Sequence, residues 1–298
     1  MVERASGTQG DRHFGFTDQV IADWELGGAA ETPFWGTDGR LNLDFDLLGE
    51  LLTVPTRAGD LVTTGRYAGA VEMWVAHELR RAGFADEYVW PRRTRPRVLS
   101  PDLAILLSEL GECPPALERA LCRGSLLENR VWGSAYTKQV DAGLASSWVS
   151  GPEALVSVKT QSSSFGKNIN NRIEESYGDG KNLKRRFPLA FVGYLMVLRD
   201  TILTEEPQAF RQYVHTLGRY VDSKDAYDSA ALLLVHWQED GSVLVSEEGQ
   251  KPIPEHLSAE RFFEQLICNV LDAAPHDRHK AARALRGEYD VRVAEMTY

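Results

Sequence analysis

Cysteine is scarce in this chain of 298 residues. The three cysteines, Cys113, Cys122 and Cys268, include no Cys-x-x-Cys pair, so neither a disulfide framework nor a zinc site is expected. Long apolar runs are missing as well, because no stretch approaches the roughly 20 residues that span a bilayer. The first thirty residues lack the apolar core of a secretory signal. We therefore expect a cytoplasmic protein.

Motifs for several other kinds of chemistry are also missing. The sequence contains no P-loop and no Gly-x-Gly-x-x-Gly fingerprint, so nothing indicates ATP-driven translocation or a dinucleotide cofactor. It has no internal repeat, and its histidines form no pairing that indicates a hydrolase triad.

The overall charge is acidic. A net charge of −10 argues against a protein that coats nucleic acid indiscriminately. Binding at one site depends on the local field, however, and basic residues cluster at 92–97 and 181–186. With 43% hydrophobic and 26% charged residues, the composition is ordinary for a globular protein with a core. The length fits one large domain, or a catalytic domain with an accessory part.

The hydrophobic periodicity predicts a mixed fold. Helices are expected over 66–83, 101–110, 114–128, 206–221 and 258–273, with a short one over 170–177 that Gly178 ends. Strands are expected over 88–90, 140–147, 154–161, 187–198, 227–237 and 242–245. The opening 60 residues predict loops with a short element near 41–45. A mixed central β-sheet flanked by helices, an α/β (α+β) fold, follows.

The centre of the chain carries the clearest chemical pattern. Asp141 precedes Lys159 by 18 residues, a spacing that allows antiparallel strands to bring both side chains to one end of a sheet. Carboxylates hold a hard cation such as Mg²⁺ through oxygen ligands. A lysine beside them positions a water and adds positive charge. The pattern therefore indicates metal-dependent hydrolysis of a phosphodiester.

A polar string around these residues resembles a known family. It is similar to the XhoI-like type II restriction endonucleases of the PD-(D/E)XK superfamily, and the likeness covers roughly residues 130–240. The matching residues are Thr137-Lys138, Asp141, Lys159-x-Gln161, Ser164-Phe165-Gly166, Asn168, Asn170-Asn171-Arg172 and Glu174-Glu175.

The resemblance implies a fold, an activity and partners. It implies a PD-(D/E)XK core over 129–298 and a mostly helical region over 1–128 that takes part in DNA recognition. The implied activity is Mg²⁺-dependent cleavage of double-stranded DNA at a palindromic site, leaving 5′-phosphate ends. A homodimer and a cognate DNA methyltransferase, a functional partner in the host, are implied with it.

One position departs from the family pattern. An acidic residue is expected two positions before the lysine, and this chain has Ser157 there. NgoMIV-like enzymes resemble this chain in combining Ser-x-Lys with a glutamate on the following helix. Glu174 and Glu175 are therefore the candidate replacement metal ligands, with Glu174 slightly ahead. The alternative for Glu174 is a helix cap, since Asn171-x-x-Glu174 is typical of a capping box.

Two further carboxylates compete for a place in the site. Asp102 follows Pro101 and is the alternative to Asp141 as first metal ligand, although Ser-Pro-Asp is also typical of a helix start. Glu72, on the early amphipathic helix, is either an outer contributor or part of a solvated face. Glu153 lies in the predicted turn and is a poor candidate.

The remaining polar residues of the string are candidate DNA contacts. Asn and Gln suit adenine edges, whereas Arg suits guanine or phosphate. The candidates are Gln161, Lys167, Asn170, Asn171 and Arg172. Two rival functions stay open: a modification-dependent or repair-type nuclease with the same core, and a DNA-binding protein that does not cleave.

Overall fold

The central feature of the fold is a six-stranded mixed sheet. The computed structural model describes residues 15–26, 32–37, 40–59, 65–93, 97, 99–111, 116–117, 130–147, 150–167 and 169–287. The sheet has the order β1-β4-β5-β6-β7-β8. The three middle strands, β5, β6 and β7, are parallel, and the outer pairings are antiparallel.

The sheet strands are β1 (Val89–Trp90), β4 (Ala142–Leu144), β5 (Ala154–Gln161), β6 (Phe191–Arg199), β7 (Ser229–Trp237) and β8 (Val243–Leu244). A separate two-stranded ribbon consists of β2 (Arg130–Trp132) and β3 (Thr137–Gln139). The α-helices are α1 (Thr17–Leu26), α2 (Phe45–Arg57), α3 (Arg66–Arg81), α4 (Pro101–Leu110), α5 (Ile169–Arg186), α6 (Ile202–Glu205), α7 (Pro207–Ser223), α8 (Glu247–Gln250) and α9 (Ala259–Ala273).

Helices cover both faces of the sheet. One apolar cluster joins Val156 and Val158 of β5 to side chains of α2, α3 and α9. The other joins Leu155 of the same strand to side chains of α5 and α7. Burial on both faces explains why β6 is apolar along almost its whole length. The predicted α/β class, a mixed sheet flanked by helices, is confirmed.

The amino-terminal helices belong to the same core as the sheet. Trp74 of α3 is fully buried, as is Leu51 of α2, and both lie in the cluster that contains Val156. Strand β1 pairs with β4. Residues before 128 therefore contribute directly to the core around β5. Among the described helices, none is long and apolar enough to cross a membrane.

Several predicted elements are confirmed. Strand β5 and helix α4 have the predicted ends, and Ser100 and Ser258 lie at the N-caps of α4 and α9. The predicted hairpin of 227–237 and 242–245 is present as the antiparallel pair β7–β8. The predicted helix over 114–128 falls largely outside the described residues.

The helix after β5 is longer than predicted. It continues past Gly178 to Arg186, so the predicted end at Gly178 is wrong. Nearby Gly180 is required for packing, because a Cβ there would lie 2.8 Å from the Tyr227 ring and from the Ala226 carbonyl oxygen. Gly180 therefore allows a close approach between this helix and Tyr227.

Two other predictions were also incorrect. The strand predicted over 140–147 is only Ala142–Leu144, because the continuous ladder with Ala154–Gln161 covers just those three residues. The opening segment, predicted as mostly loops, contains α1 and α2. Helix α2 buries leucines at helical spacing against the core even though Pro55 lies inside it.

Candidate active site

Asp141 and Lys159 meet where β4 begins alongside β5. The main-chain N–H of Asp141 donates to the Val156 carbonyl at 3.2 Å, which extends the antiparallel ladder of β4 and β5 by one bond. Its Oδ2 accepts from the main-chain N–H of Val158 at 2.7 Å and lies 3.5 Å from Nζ of Lys159. Within the described residues, the side-chain contacts of Asp141 all use Oδ2, which leaves Oδ1 open to another partner. The antiparallel spacing predicted from the sequence is confirmed.

Glu72 is the third charged group of this cluster. Helix α3 packs against β4 and β5, and its Glu72 is half-buried. Burial raises the pKa of Glu72 well above its ordinary value, the Asp141 carboxylate raises it further, and Lys159 lowers it. Two carboxylates and one ammonium group are therefore electrostatically coupled at one place.

This donor set fits a hard divalent cation in part. Asp141 and Glu72 offer carboxylate oxygens, and the Val158 carbonyl, which accepts from Lys159 Nζ at 3.1 Å, offers a neutral one. The described residues contain no group of three or more acidic, histidine or cysteine side chains that could hold a metal. Mg²⁺ commonly keeps several waters and takes only one or two protein carboxylates together with substrate phosphate. The residues present match that kind of site.

The position where the family pattern has an acid is buried in this chain. Ser157 is buried on β5, and a neutral hydroxyl there supplies no charged oxygen. Glu153, at the other end of the strand, accepts from Ser146 Oγ at 2.7 Å and lies 3.1 Å from Nε2 of His279. Its carboxylate is therefore used in a structural contact, in agreement with its rejection from the sequence.

The two candidate glutamates on α5 lie on different sides of the helix. Both are exposed. Glu175 lies one turn before Asp179, whose Oδ1 accepts from the Tyr136 hydroxyl at 2.9 Å. The charges of Asp179 and Glu175 add to burial in raising the pKa of Tyr136. Glu175 thus lies near Tyr136 in the turn of the ribbon.

Asp102 lies apart from this cluster. It is exposed in the first turn of α4, a helix whose buried residues form a small cluster of their own. Its position at the start of a helix matches the alternative reading of Ser-Pro-Asp, in which the acid suits the helix dipole. Within the described residues, Asp102 makes no hydrogen bond or ion pair with Asp141 or Lys159.

The loop after β5 is braced from two directions. Gln161 is buried, and its amide donates to the carbonyls of Ser163 and Ser164 at 3.2 and 2.8 Å. Glu206 accepts from the main-chain N–H groups of Phe165 and Gly166 at 2.8 and 2.7 Å. The loop is therefore held in one shape beside the end of the strand that carries Lys159.

Gln161 differs from the other candidate DNA contacts. Its Oε1 accepts from the Tyr213 hydroxyl at 2.7 Å and lies 3.5 Å from Nη1 of Arg172, so it presents no free edge in this structure. The other four candidates are all exposed on the loop and the first turn of α5, namely Lys167, Asn170, Asn171 and Arg172. Asn170 also accepts from Gln212 at 2.8 Å.

The two basic clusters are partly used inside the fold. Arg92 and Arg97 are buried, and Lys181 and Lys184 pair with Asp225 and Asp228 at 3.0 and 2.7 Å. The brace by Glu206 could not be predicted from the sequence, since 40 residues separate it from Gly166 and no local pattern connects them. Comparison with protein-family models, curated proteins and solved structures found no match.

Proposed function

We propose that this chain is a Mg²⁺-dependent endonuclease that cleaves double-stranded DNA at a specific site, as a type II restriction enzyme of the PD-(D/E)XK superfamily does. One observation carries the proposal: Glu72, Asp141 and Lys159 come together from three elements at the end of a strand. An ammonium group among carboxylates, with access to solvent, suits hydrolysis of a phosphodiester.

Each residue has a distinct part in the proposed reaction. Asp141 and Glu72, with the Val158 carbonyl, would hold Mg²⁺ at the scissile phosphate. A bound Mg²⁺ supplies Lewis acidity and lowers the pKa of a ligated water. Lys159, whose side chain is 38% exposed, orients the attacking water and balances charge on the phosphate. Bond cleavage at the 3′-oxygen then leaves a 5′-phosphate end.

Glu175 is the proposed replacement for the acid that is missing at Ser157. The following helix packs on the opposite face of the sheet from the helix that carries Glu72, so Glu175 would add a carboxylate from that side. Because Glu175 is exposed, it can reach a cation through a bound water. Glu174 remains the alternative ligand from the same helix.

The proposed assembly is a homodimer. Cutting both strands of a palindrome needs two active sites, and a two-fold dimer supplies them with matched contacts to each half-site. Light scattering, with and without a short cognate duplex, should give the mass of two chains. A mass near 33.3 kDa in both conditions would contradict this. A cognate methyltransferase would protect host DNA without binding this protein.

The decisive test is a digest of several sequenced plasmids with Mg²⁺. Discrete bands are expected for the wild-type protein, and none for Asp141→Asn or Lys159→Ala, which should still bind DNA in Ca²⁺. The matched control is Asp102→Asn, an exposed acid on another helix, which should cut normally. The reverse result would move the first metal ligand to Asp102.

One observation favours a second candidate function. Because Ser157 leaves the site short of one acid, a protein that binds DNA without cleaving it is the alternative. Binding of DNA without nicking in Mg²⁺ or Mn²⁺ would support that alternative. Cutting only of methylated plasmids would instead indicate a modification-dependent nuclease.

A further inference from the structure

The β2–β3 ribbon has two chemically different faces. Cross-strand pairing sets Arg130 against Gln139, Val131 against Lys138 and Trp132 against Thr137. The middle pair points inward, because Val131 packs on the cluster of α5 and α7 and Lys138 pairs with Asp179. The outer face consists of the other two pairs, and its members are all exposed: Arg130, Trp132, Thr137 and Gln139.

Trp132 is the prominent residue of this outer face. Its side chain is 76% exposed. The other tryptophans among the described residues are buried or partly buried. An indole can bury on the order of 150–250 Å² when a partner covers it. The outer face also lacks carboxylates, in a chain whose net charge is −10. Its chemistry therefore suits an anionic partner with flat apolar groups.

The ribbon is held firmly against α5. The Asn182 side chain accepts from the main-chain N–H of Ala135 at 2.8 Å and donates to the Tyr136 carbonyl at 2.9 Å. Asn182 fits closely under the turn, since a Cβ on Gly133 would lie 2.1 Å from its Nδ2. A side chain displayed on an ordered support loses less freedom on binding. Trp132 therefore lies on an ordered part of the backbone.

The ribbon leads directly into the candidate active site. Thr137, the cross-strand partner of Trp132, precedes Asp141 by four residues, so the two lie at most about 13 Å apart along the chain. DNA rises about 3.4 Å per base pair along each strand, so that span covers about four base pairs. A two-stranded ribbon also fits the width of the major groove.

We propose that the outer face of the β2–β3 ribbon binds double-stranded DNA next to the scissile phosphodiester, with Trp132 in contact with a base or sugar. The proposal rests on the endonuclease function and adds a recognition surface to it. Gln139 would bond a base edge. The ribbon joins Lys167, Asn170, Asn171 and Arg172 in enclosing the DNA around Asp141.

The experiment measures Trp132 directly in the full chain. Acrylamide quenching of wild-type and Trp132→Phe fluorescence is compared, so that the difference reports Trp132 alone. Plasmid DNA in Ca²⁺ should lower the quenching constant of that component at least about twofold. Trp132→Ala should weaken plasmid binding at least about fivefold, because the apolar area that the indole buries against the DNA is lost. The matched control is Leu189→Ala, an equally exposed apolar residue at 78%, which should bind normally.

The outcomes separate this proposal from the function on which it rests. If the wild-type protein cuts plasmid but Trp132 stays equally quenched and Trp132→Ala binds normally, the ribbon proposal fails and the endonuclease stands. If the wild-type protein neither binds nor cuts plasmid, both fail. If Trp132→Ala halves the mass in light scattering without changing quenching by DNA, the ribbon contacts a second copy instead, which also overturns the proposal. Melting curves confirm that each variant is folded.

Discussion

Asp141 Oδ2 lies 3.5 Å from Lys159 Nζ, while the same oxygen accepts a 2.7 Å bond from the main-chain N–H next to that lysine. The main-chain bond fixes the carboxylate against the strand, and the lysine remains partly exposed. The carboxylate is therefore fixed by a main-chain bond, and the ammonium group, which also donates to the Val158 carbonyl at 3.1 Å, is still open to solvent on one side. This arrangement suits a group that must orient a water rather than only neutralise a charge.

The choice between the two glutamates of α5 can be tested. Glu175→Gln should lower Mg²⁺-dependent cleavage at least about tenfold, in line with the loss of a group that supports a metal, because Glu175 lies near Tyr136 of the ribbon that precedes Asp141. Glu174→Gln, its exposed neighbour, is the matched control and should stay within about twofold. Rates from single-turnover plasmid nicking give the comparison. A larger loss for Glu174→Gln would restore the order that the sequence favours.

Gln161 is expected to act mainly as a brace. Gln161→Leu should lower the free energy of unfolding by about 1–3 kcal/mol, because it leaves the buried Tyr213 hydroxyl and two loop carbonyls without their partner. Tyr213→Phe removes only one side of the contact and should cost less. Urea denaturation measures both. A Gln161→Leu variant with wild-type stability but altered cutting sites would instead make Gln161 a base contact.

Arg172 is exposed and bonded only weakly to Gln161, at 3.5 Å, so it is expected to contact DNA. Arg172→Ala should weaken binding in Ca²⁺ by about 1–3 kcal/mol. Arg172→Lys separates the two kinds of contact, because lysine keeps a phosphate contact and its salt dependence but loses a two-bond contact to a base. Fluorescence anisotropy at two salt concentrations measures this. Unchanged affinity with a lower melting temperature would leave Arg172 a structural role only.

The parts of the site that could be predicted are those that depend on the order of neighbouring residues in the sequence. Strand β5 could be placed to the residue because an apolar run is bounded by turn residues, and the spacing of Asp141 and Lys159 follows from that hairpin. The sequence allows two roles for Glu72, because hydrophobic periodicity does not determine whether a helix face contacts solvent or the end of a strand.

The parts that escaped prediction depend on contacts between distant segments. Glu206 holds Phe165 and Gly166 from 41 and 40 residues away, and Gly180 is needed because the Ala226 carbonyl and the Tyr227 ring lie against it. In the sequence a glycine after a helical pattern predicts a helix end. In the structure Gly180 lies inside the helix and allows close packing. The fold class was therefore more predictable than the surroundings of the site.

Glu78 should make stability depend on pH. It is fully buried, accepts from the Asp44 main-chain N–H at 2.7 Å and pairs with Arg81. Burial raises the pKa of Glu78 from 4.5 to about 7. The folded state then keeps a proton that the unfolded state releases, so its contribution to stability is full below pH 4.5 and is lost as the pH rises to about 7. That loss amounts to about 3 kcal/mol.

The measurement for Glu78 is urea unfolding at several pH values, comparing wild type with Glu78→Gln. The stability of the wild type relative to the variant should fall by about 2–3 kcal/mol between pH 5 and pH 8. Glu50→Gln, an exposed acid on the neighbouring helix α2, is the matched control and should give a difference that does not change with pH. A constant difference for Glu78→Gln would contradict the raised pKa.

Glu72→Gln should stabilise the protein and abolish cleavage. Burial and the Asp141 charge raise the pKa of Glu72, so its contribution to stability is lost as the pH rises above the pKa of the unfolded chain. The variant escapes that loss, and its gain in melting temperature should be larger at pH 8 than at pH 5.5. Because glutamine offers a neutral oxygen, Mg²⁺-dependent nicking should disappear even though the fold is firmer. Asp102→Asn should change neither property. A Glu72→Gln variant that melts lower at both pH values and still cuts would place Glu72 outside the site.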